Sequence, residues 1–288
     1  MPTKGYAISW NHAMRHRTIS IRTILLSLAL LAAPAAAQEK LRSHLDLDWQ
    51  APNLWVHVDN VDAQKARLFE NARKGWLAVL HKDDHLLGDG RALFWHARST
   101  PAGETFFSFY PFRSWTDLEA RREMIIQTQK ITGDDAVKAY DSGDEALVSP
   151  HYSQIWRRAE DCDIVWPATQ SLNELTAAVG RLEVRSVDIV QWTMFEQAWK
   201  RVTEALVACK YPLACRAFRS SYGKGEFMLW WLAPDSASYK GAPPFQTAVA
   251  RQLGQKQSAE IFKVLEKVFP VEESYEVERR PDLCNLGK

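Results

Sequence analysis

The most constraining feature of this 288-residue chain is that it reads as one unit written twice. Phe69-Glu70-Asn71-Ala72 recurs as Phe195-Glu196-Gln197-Ala198, an offset of 126. Gly103-Glu104 before an aromatic run recurs as Gly225-Glu226, and Arg157-Arg158 recurs as Arg279-Arg280, both at 122. Cys162 and Cys284 keep the same spacing. Matches in one order at a near-constant offset mark a duplicated structural unit.

Each copy carries the same succession of elements. In the first, residues 55–59 alternate as a strand, and Asp62 is placed to cap a helix with Phe69, Ala72, Trp76 and Val79 on one face. Residues 91–98 and 105–110 read as a hairpin around Pro101-Ala102-Gly103. A second helical region starts near Ser114 and breaks around Gly133, and residues 151–158 supply the last strand. In the second copy the strand is 184–189, and a Thr193/Glu196 capping box opens a helix with the stripe Phe195, Trp199, Val202 and Leu206. A hairpin at 216–220 and 226–233, a helix at 258–269 and a strand at 273–279 complete it, with an insertion at 239–245 around Pro243-Pro244.

Strand, helix, strand, strand, helix, strand predicts an α+β fold made of two ferredoxin-like βαββαβ repeats. The expected organisation is a leader at 1–37, a first repeat at 38–160, a connector at 161–182 and a second repeat at 183–288. The hairpin strands Leu93-Phe94-Trp95-His96, Phe106-Phe107-Ser108-Phe109-Tyr110 and Phe227-Met228-Leu229-Trp230-Trp231-Leu232 are apolar on both alternating sets, so both sheet faces need cover. Helices cover one face. The sister sheet is the natural cover for the other, packing the repeats sheet-to-sheet as a pseudo-twofold α/β barrel. Trp230 and Trp231, being adjacent, should point one to each face.

The leader has Arg15, Arg17 and Arg22, an apolar stretch at 24–33 and small residues at 35–37, the three parts of a secretory signal. Cleavage after Ala37 leaves about 250 residues, enough to bury a sizeable core, and no later segment is long and apolar enough for a membrane span. The expected location is periplasmic or secreted. Formal net charge is +1, which gives no footprint for nucleic acid as a partner. A small-molecule ligand is the expected partner, with the chain a monomeric pseudo-dimer or a homo-oligomer. Four cysteines in an exported chain suit disulfides, and Cys209 and Cys215 flank a turn-like stretch that makes them the preferred pair, ordinary buried thiols being the alternative.

Candidate chemistry concentrates in the first copy, which with the residues just before it holds His44, His57, His81, His85, His96 and His151. Trp55, His57 and Asp59 share one strand face, and Phe94, His96 and Arg98 share another. Were those faces turned into the barrel, with Glu183 and Arg185 answering from the second copy, they would edge an aromatic pocket of the usual small-ligand composition. His57 and His96 are then the candidate catalytic bases, and Asp59 would orient a neighbouring imidazole. Alternatively these are half-buried polar groups satisfying one another, and a one-residue slip in register reverses the face. The His81/His85 pair has metal-binding spacing but no third ligand, so no metal is expected, and no cofactor. G-x-S-x-G, H-E-x-x-H, C-x-x-C and a phosphate loop are absent from the sequence.

Val56-His57-Val58-Asp59, Phe69-Glu70-x-Ala72 and Tyr110-Pro111-Phe112-x-Ser114-Trp115 resemble the dimeric α/β-barrel superfamily in a fused tandem form, and look like its NIPSNAP and antibiotic-biosynthesis-monooxygenase branches. The resemblance spans residues 49–282, and the second copy departs at Ala233-Pro234-Asp235-Ser236. It implies a scaffold shared by cofactor-independent oxygenases, lactone isomerases, haem-binding peroxidases and chlorite-degrading enzymes. The expected role is to bind a small apolar organic molecule in the barrel interior and, if the chain is an enzyme, to transform it by a monooxygenase- or isomerase-like reaction. A haem-binding protein and a non-catalytic envelope interaction module are the alternatives.

Overall fold

A computed structural model describes residues 51–80, 93–100, 103–120, 123, 148–165, 177–222 and 225–284. The leader, His44, His81, His85, Gly133 and part of the 161–182 connector lie outside them. Among the described residues no helix is long and apolar enough to cross a membrane.

Eight strands form one closed antiparallel barrel in the order β1-β3-β2-β8-β5-β7-β6-β4. The first half supplies β1 (Asn53–Val61), β2 (Leu93–Thr100), β3 (Gly103–Phe112) and β4 (Val148–Arg158). The second supplies β5 (Val179–Ser186), β6 (Ala214–Ser220), β7 (Glu226–Ala233) and β8 (Val271–Arg279). Each half has the ferredoxin-like order, with its last strand beside its first. The halves meet at two short seams, where β2 pairs with β8 and β4 with β6. The expected α+β barrel of two repeats is the fold.

Inside and outside follow from register. Trp230 on β7 stacks on Phe109 of β3 at 4.3 Å and meets Trp95 of β2 edge-on at 5.0 Å; β3 and β7 stand opposite each other in the barrel, so these rings meet through its interior. Phe107 meets Tyr275 across the same space. Leu54, Val56 and Val58 share this inward face, since Val56 pairs with Phe109 and Val58 with Phe107. Trp231 points the other way, stacked on Phe245 at 5.1 Å under the helices, so the two adjacent indoles split between the two layers as their spacing requires.

Helices cover the outer faces. In the first half α1 (Ala66–Leu80) presses Phe69 onto Phe94 and Phe106, and a helical segment begins at residues 115–120. In the second half α2 (Trp192–Ala208), α3 (Ser236–Gly241), α4 (Phe245–Leu253) and α5 (Gln255–Val268) form the outer layer. Phe195, Trp199, Val202 and Leu206 of α2 are all buried, as their spacing predicts, and full burial of each such side chain contributes about 1.5–3 kcal/mol. The insertion at 239–245 is the end of α3 and the turn into α4.

Several local expectations are corrected. The capping box at Thr193 is not formed: a 3₁₀ turn over Ile189–Gln191 leads into α2, whose N-cap is Gln191, two residues earlier, and Asp188 Oδ1 accepts from the Val190 N–H. β5 begins at Val179 rather than 184. The predicted Cys209–Cys215 bridge is also absent, and all four cysteines are free thiols. Cys215 faces the helix-side core from β6, while Cys209 ends α2 and donates to the Leu206 carbonyl. The turn between them is held by Lys210 at φ 54° and by buried Tyr211, whose hydroxyl donates to the Pro243 carbonyl at 2.7 Å. Gly103 sits at φ 111° where a Cβ would lie 2.4 Å from the Val61 carbonyl, so the β2–β3 turn requires glycine.

Candidate functional site on the outer face of the first sheet

Every predicted site residue on these strands turns outward, not into the barrel. Asp59 pairs with Phe106, His57 with Ser108 and Trp55 with Tyr110, and Phe106 packs under α1. Phe94, His96 and Arg98 share that outward face on β2, and Glu183 and Arg185 share it on β5, where they pair with Leu229 and Phe227. The sequence allowed either register. Trp95, Phe107, Phe109 and Trp230 won the interior because large rings from opposite strands fill it more completely than polar groups could.

On β1 and β4 the outward face gathers four polar side chains. His57 lies opposite Ser153 and Asp59 opposite His151. His57 Nδ1 is 2.8 Å from Ser153 Oγ, and His57 Nε2 is 2.9 Å from Asp59 Oδ1. The His57 and His151 rings are 5.5 Å apart. Asp59 is buried, His57 half-buried and His151 exposed. Next along the stripe, Trp55 stacks on Tyr110 at 4.9 Å.

Two residues farther, the stripe reaches Asn53 and Arg157, paired across β1 and β4. Arg157 stands directly opposite Arg219 across the β4–β6 seam, and neither forms an ion pair among the described residues. Directly opposed like charges destabilise a sheet. They line a cleft of about 470 Å³ with Trp115, Trp192 and Glu226. Arg158 and Arg280 are half-buried in ion pairs, Arg158 with Asp163 at 2.8 Å and Arg280 with Glu70 and Asp282.

The other predicted residues form separate groups. His96 is buried, lies flat on Phe106 at 4.2 Å and places Nε2 2.5 Å from Glu104 Oε2. Burial pushes its pKa below the ordinary imidazole value, against an opposing pull from Glu104. Arg98 pairs with Glu278 at 2.7 Å, and with His96 it borders a cleft of about 370 Å³ at the β2–β8 seam. Glu183 is held between Arg181 at 2.8 Å and Arg185 at 2.7 Å, and Arg185 also donates to the Phe269 carbonyl. The structure thus brings His57 and Asp59 together with Trp55 nearby, and separates them from Phe94, His96 and Arg98 and from Glu183 and Arg185. Sequence reasoning missed His151, Ser153, Arg157 and Arg219 as partners, although the ferredoxin-like order places the last strand beside the first and so sets His151-x-Ser153 against His57-x-Asp59.

No family model matches the chain, and no curated protein does. Among solved structures it is similar to a candidate monooxygenase from Fusobacterium nucleatum, 12% identical, covering 80% of this chain and 92% of that one with a TM-score of 0.49. A candidate monooxygenase from Lactobacillus acidophilus NCFM is 10% identical over 80% and 93%, TM-score 0.44. A chlorite dismutase variant from Candidatus Nitrospira defluvii is 12% identical over 85% and 96%, TM-score 0.44. The strand order itself closes two ferredoxin-like halves of one chain into a single α+β barrel.

Proposed function

We propose that this chain binds and transforms a small, largely apolar organic anion on the outer face of its first sheet. The observation that carries the reading is the unpaired Arg157/Arg219 couple, set on the same face as the His57, Asp59, His151 and Ser153 cluster. The guanidinium groups take the negative end, since planar forks suit a carboxylate. Trp115 and Trp192 at the cleft, and Trp55 with Tyr110 farther along, supply aromatic surface for the body. The His57 cluster meets the far end. From residue 53 to residue 57 the strand advances roughly 13 Å, about the length of a two-ring molecule.

The site therefore lies between sheet and solvent, and the aromatic barrel interior acts as its support. The leader supports a periplasmic or secreted location, tested by an amino terminus at Gln38 in protein recovered from its host. Calorimetric titration with naphthoate and with its neutral twin naphthamide tests the site. Arg157→Gln should weaken naphthoate binding about tenfold, near 1.4 kcal/mol, and leave naphthamide unchanged. Equal loss of both, or of neither, sinks the assignment.

A further inference from the structure

We infer that His57, Asp59 and His151 form a binding site for one divalent transition-metal ion, a refinement that rests on the functional site proposed above. One ligand atom from each of the three lies within 4.8 Å of the others. Asp59 Oδ1 is buried and makes no hydrogen bond. It nonetheless sits 2.9 Å from His57 Nε2, too close to be ignored and without the geometry of a donor facing an acceptor. Two ligand atoms on one ion with bonds of about 2.0–2.1 Å at near right angles are separated by about that distance.

The surroundings of His57 fit the same reading. With the proton on Nδ1, the ring donates to Ser153 Oγ and turns Nε2 toward Asp59 Oδ1. Such an outer hydrogen bond fixes tautomer and ring orientation in histidine metal sites. His151, exposed on the neighbouring strand directly opposite Asp59, can turn its side chain inward at the cost of one rotamer change. Two imidazoles and one carboxylate favour zinc or iron(II) over magnesium or calcium, which prefer oxygen alone. Three protein ligands leave coordination positions open, so an oxygen atom of the organic anion can reach the ion from the Trp55 side and be polarised there.

The second half supplies a built-in contrast. Register places Glu183 and Arg185 where His57 and Asp59 stand, since the first pair lies opposite Ser108 and Phe106 and the second opposite Leu229 and Phe227. A guanidinium at the carboxylate position excludes a cation. Among the described residues the fold therefore offers one such site.

The full chain, stripped with chelator and titrated with cobalt(II), should bind one equivalent with visible d–d bands that zinc displaces. His151→Ala changes an exposed side chain and leaves the fold intact; it should weaken cobalt binding at least tenfold, and Asp59→Asn likewise, with an unchanged far-ultraviolet spectrum as control. Ser153→Ala should cost about tenfold through the His57 ring alone. Arg157→Gln should leave cobalt binding untouched. Failure of the stripped wild-type chain to take up one equivalent in the micromolar range overturns the inference, as does binding that ignores His151→Ala and Asp59→Asn. If naphthoate binds through Arg157 and cobalt does not bind at the cluster, the metal falls and the ligand site stands; if cobalt binds at the cluster and naphthoate does not, the metal stands and the ligand assignment falls.

Discussion

Two halves of one barrel solve the same architectural problem with opposite polar chemistry. Where the second half has Arg181, Glu183 and Arg185 locked together beneath α2, α4 and α5, the first has Trp55, His57 and Asp59 with an exposed His151 beside them. In the second half Arg185 binds Glu183 and reaches on to the Phe269 carbonyl, although Arg181 Nε makes no hydrogen bond. The first half leaves a buried carboxylate oxygen without a hydrogen bond. The seams repeat the lesson: His96 faces Glu278 across β2 and β8, opposite charges when the ring is protonated, whereas Arg157 faces Arg219 across β4 and β6.

That contrast can be broken by mutation. Trp230→Ala removes the ring that touches Trp95 and Phe109 from across the barrel, and it should cost about 3–5 kcal/mol and lower the stability of both halves together. Separate urea transitions for the two halves, or a loss confined to one, would show that the interior does not couple them. Glu183→Gln strands Arg185, whose side chain is only 10% exposed, and should cost about 3 kcal/mol in the same assay while sparing naphthoate and cobalt binding. Retained stability would mean that the ladder is ornamental.

A smaller effect follows from His96. Its folded pKa lies below the ordinary value of about 6.5, so as pH falls the unfolded chain takes up the proton first. Stability is complete above that pH and declines as pH drops below it; His96→Asn should flatten this limb of the melting-temperature profile, and an unchanged limb would refute the assignment. Smallest of all, Asp59→Asn should change stability by no more than about 0.5 kcal/mol, because the charge it removes has no hydrogen bond at Oδ1 to lose, even as cobalt binding drops. A large destabilisation would make Asp59 a structural residue like Glu183.

The architecture was legible because the repeated words set the element order, and that order admits few sheets. Residues 226–233 were read to the residue because Glu226 and Ala233 bound an uninterrupted apolar run. Orientation was not legible. In Leu93-Phe94-Trp95-His96 every residue is buried, so no polar position marks the outer face, and both registers satisfy the pattern equally. Alternation puts His57 and Asp59 on one face, but the side chains they meet come from a strand about ninety residues away, joined to them only by sheet closure. The cysteine pairing failed for a local reason: a left-handed residue and the Tyr211 hydroxyl already hold that turn.

The closed strand order has a stoichiometric consequence. When two identical subunits close such a barrel, any residue chosen for a pocket is duplicated at the symmetric position, and a change that helps one copy is imposed on the other. A single polypeptide that supplies both halves escapes this rule, so Glu183 and Arg185 could drift toward rigidity while His57 and Asp59 remained available. Saturation of this molecule should accordingly follow a simple hyperbola with one equivalent per barrel.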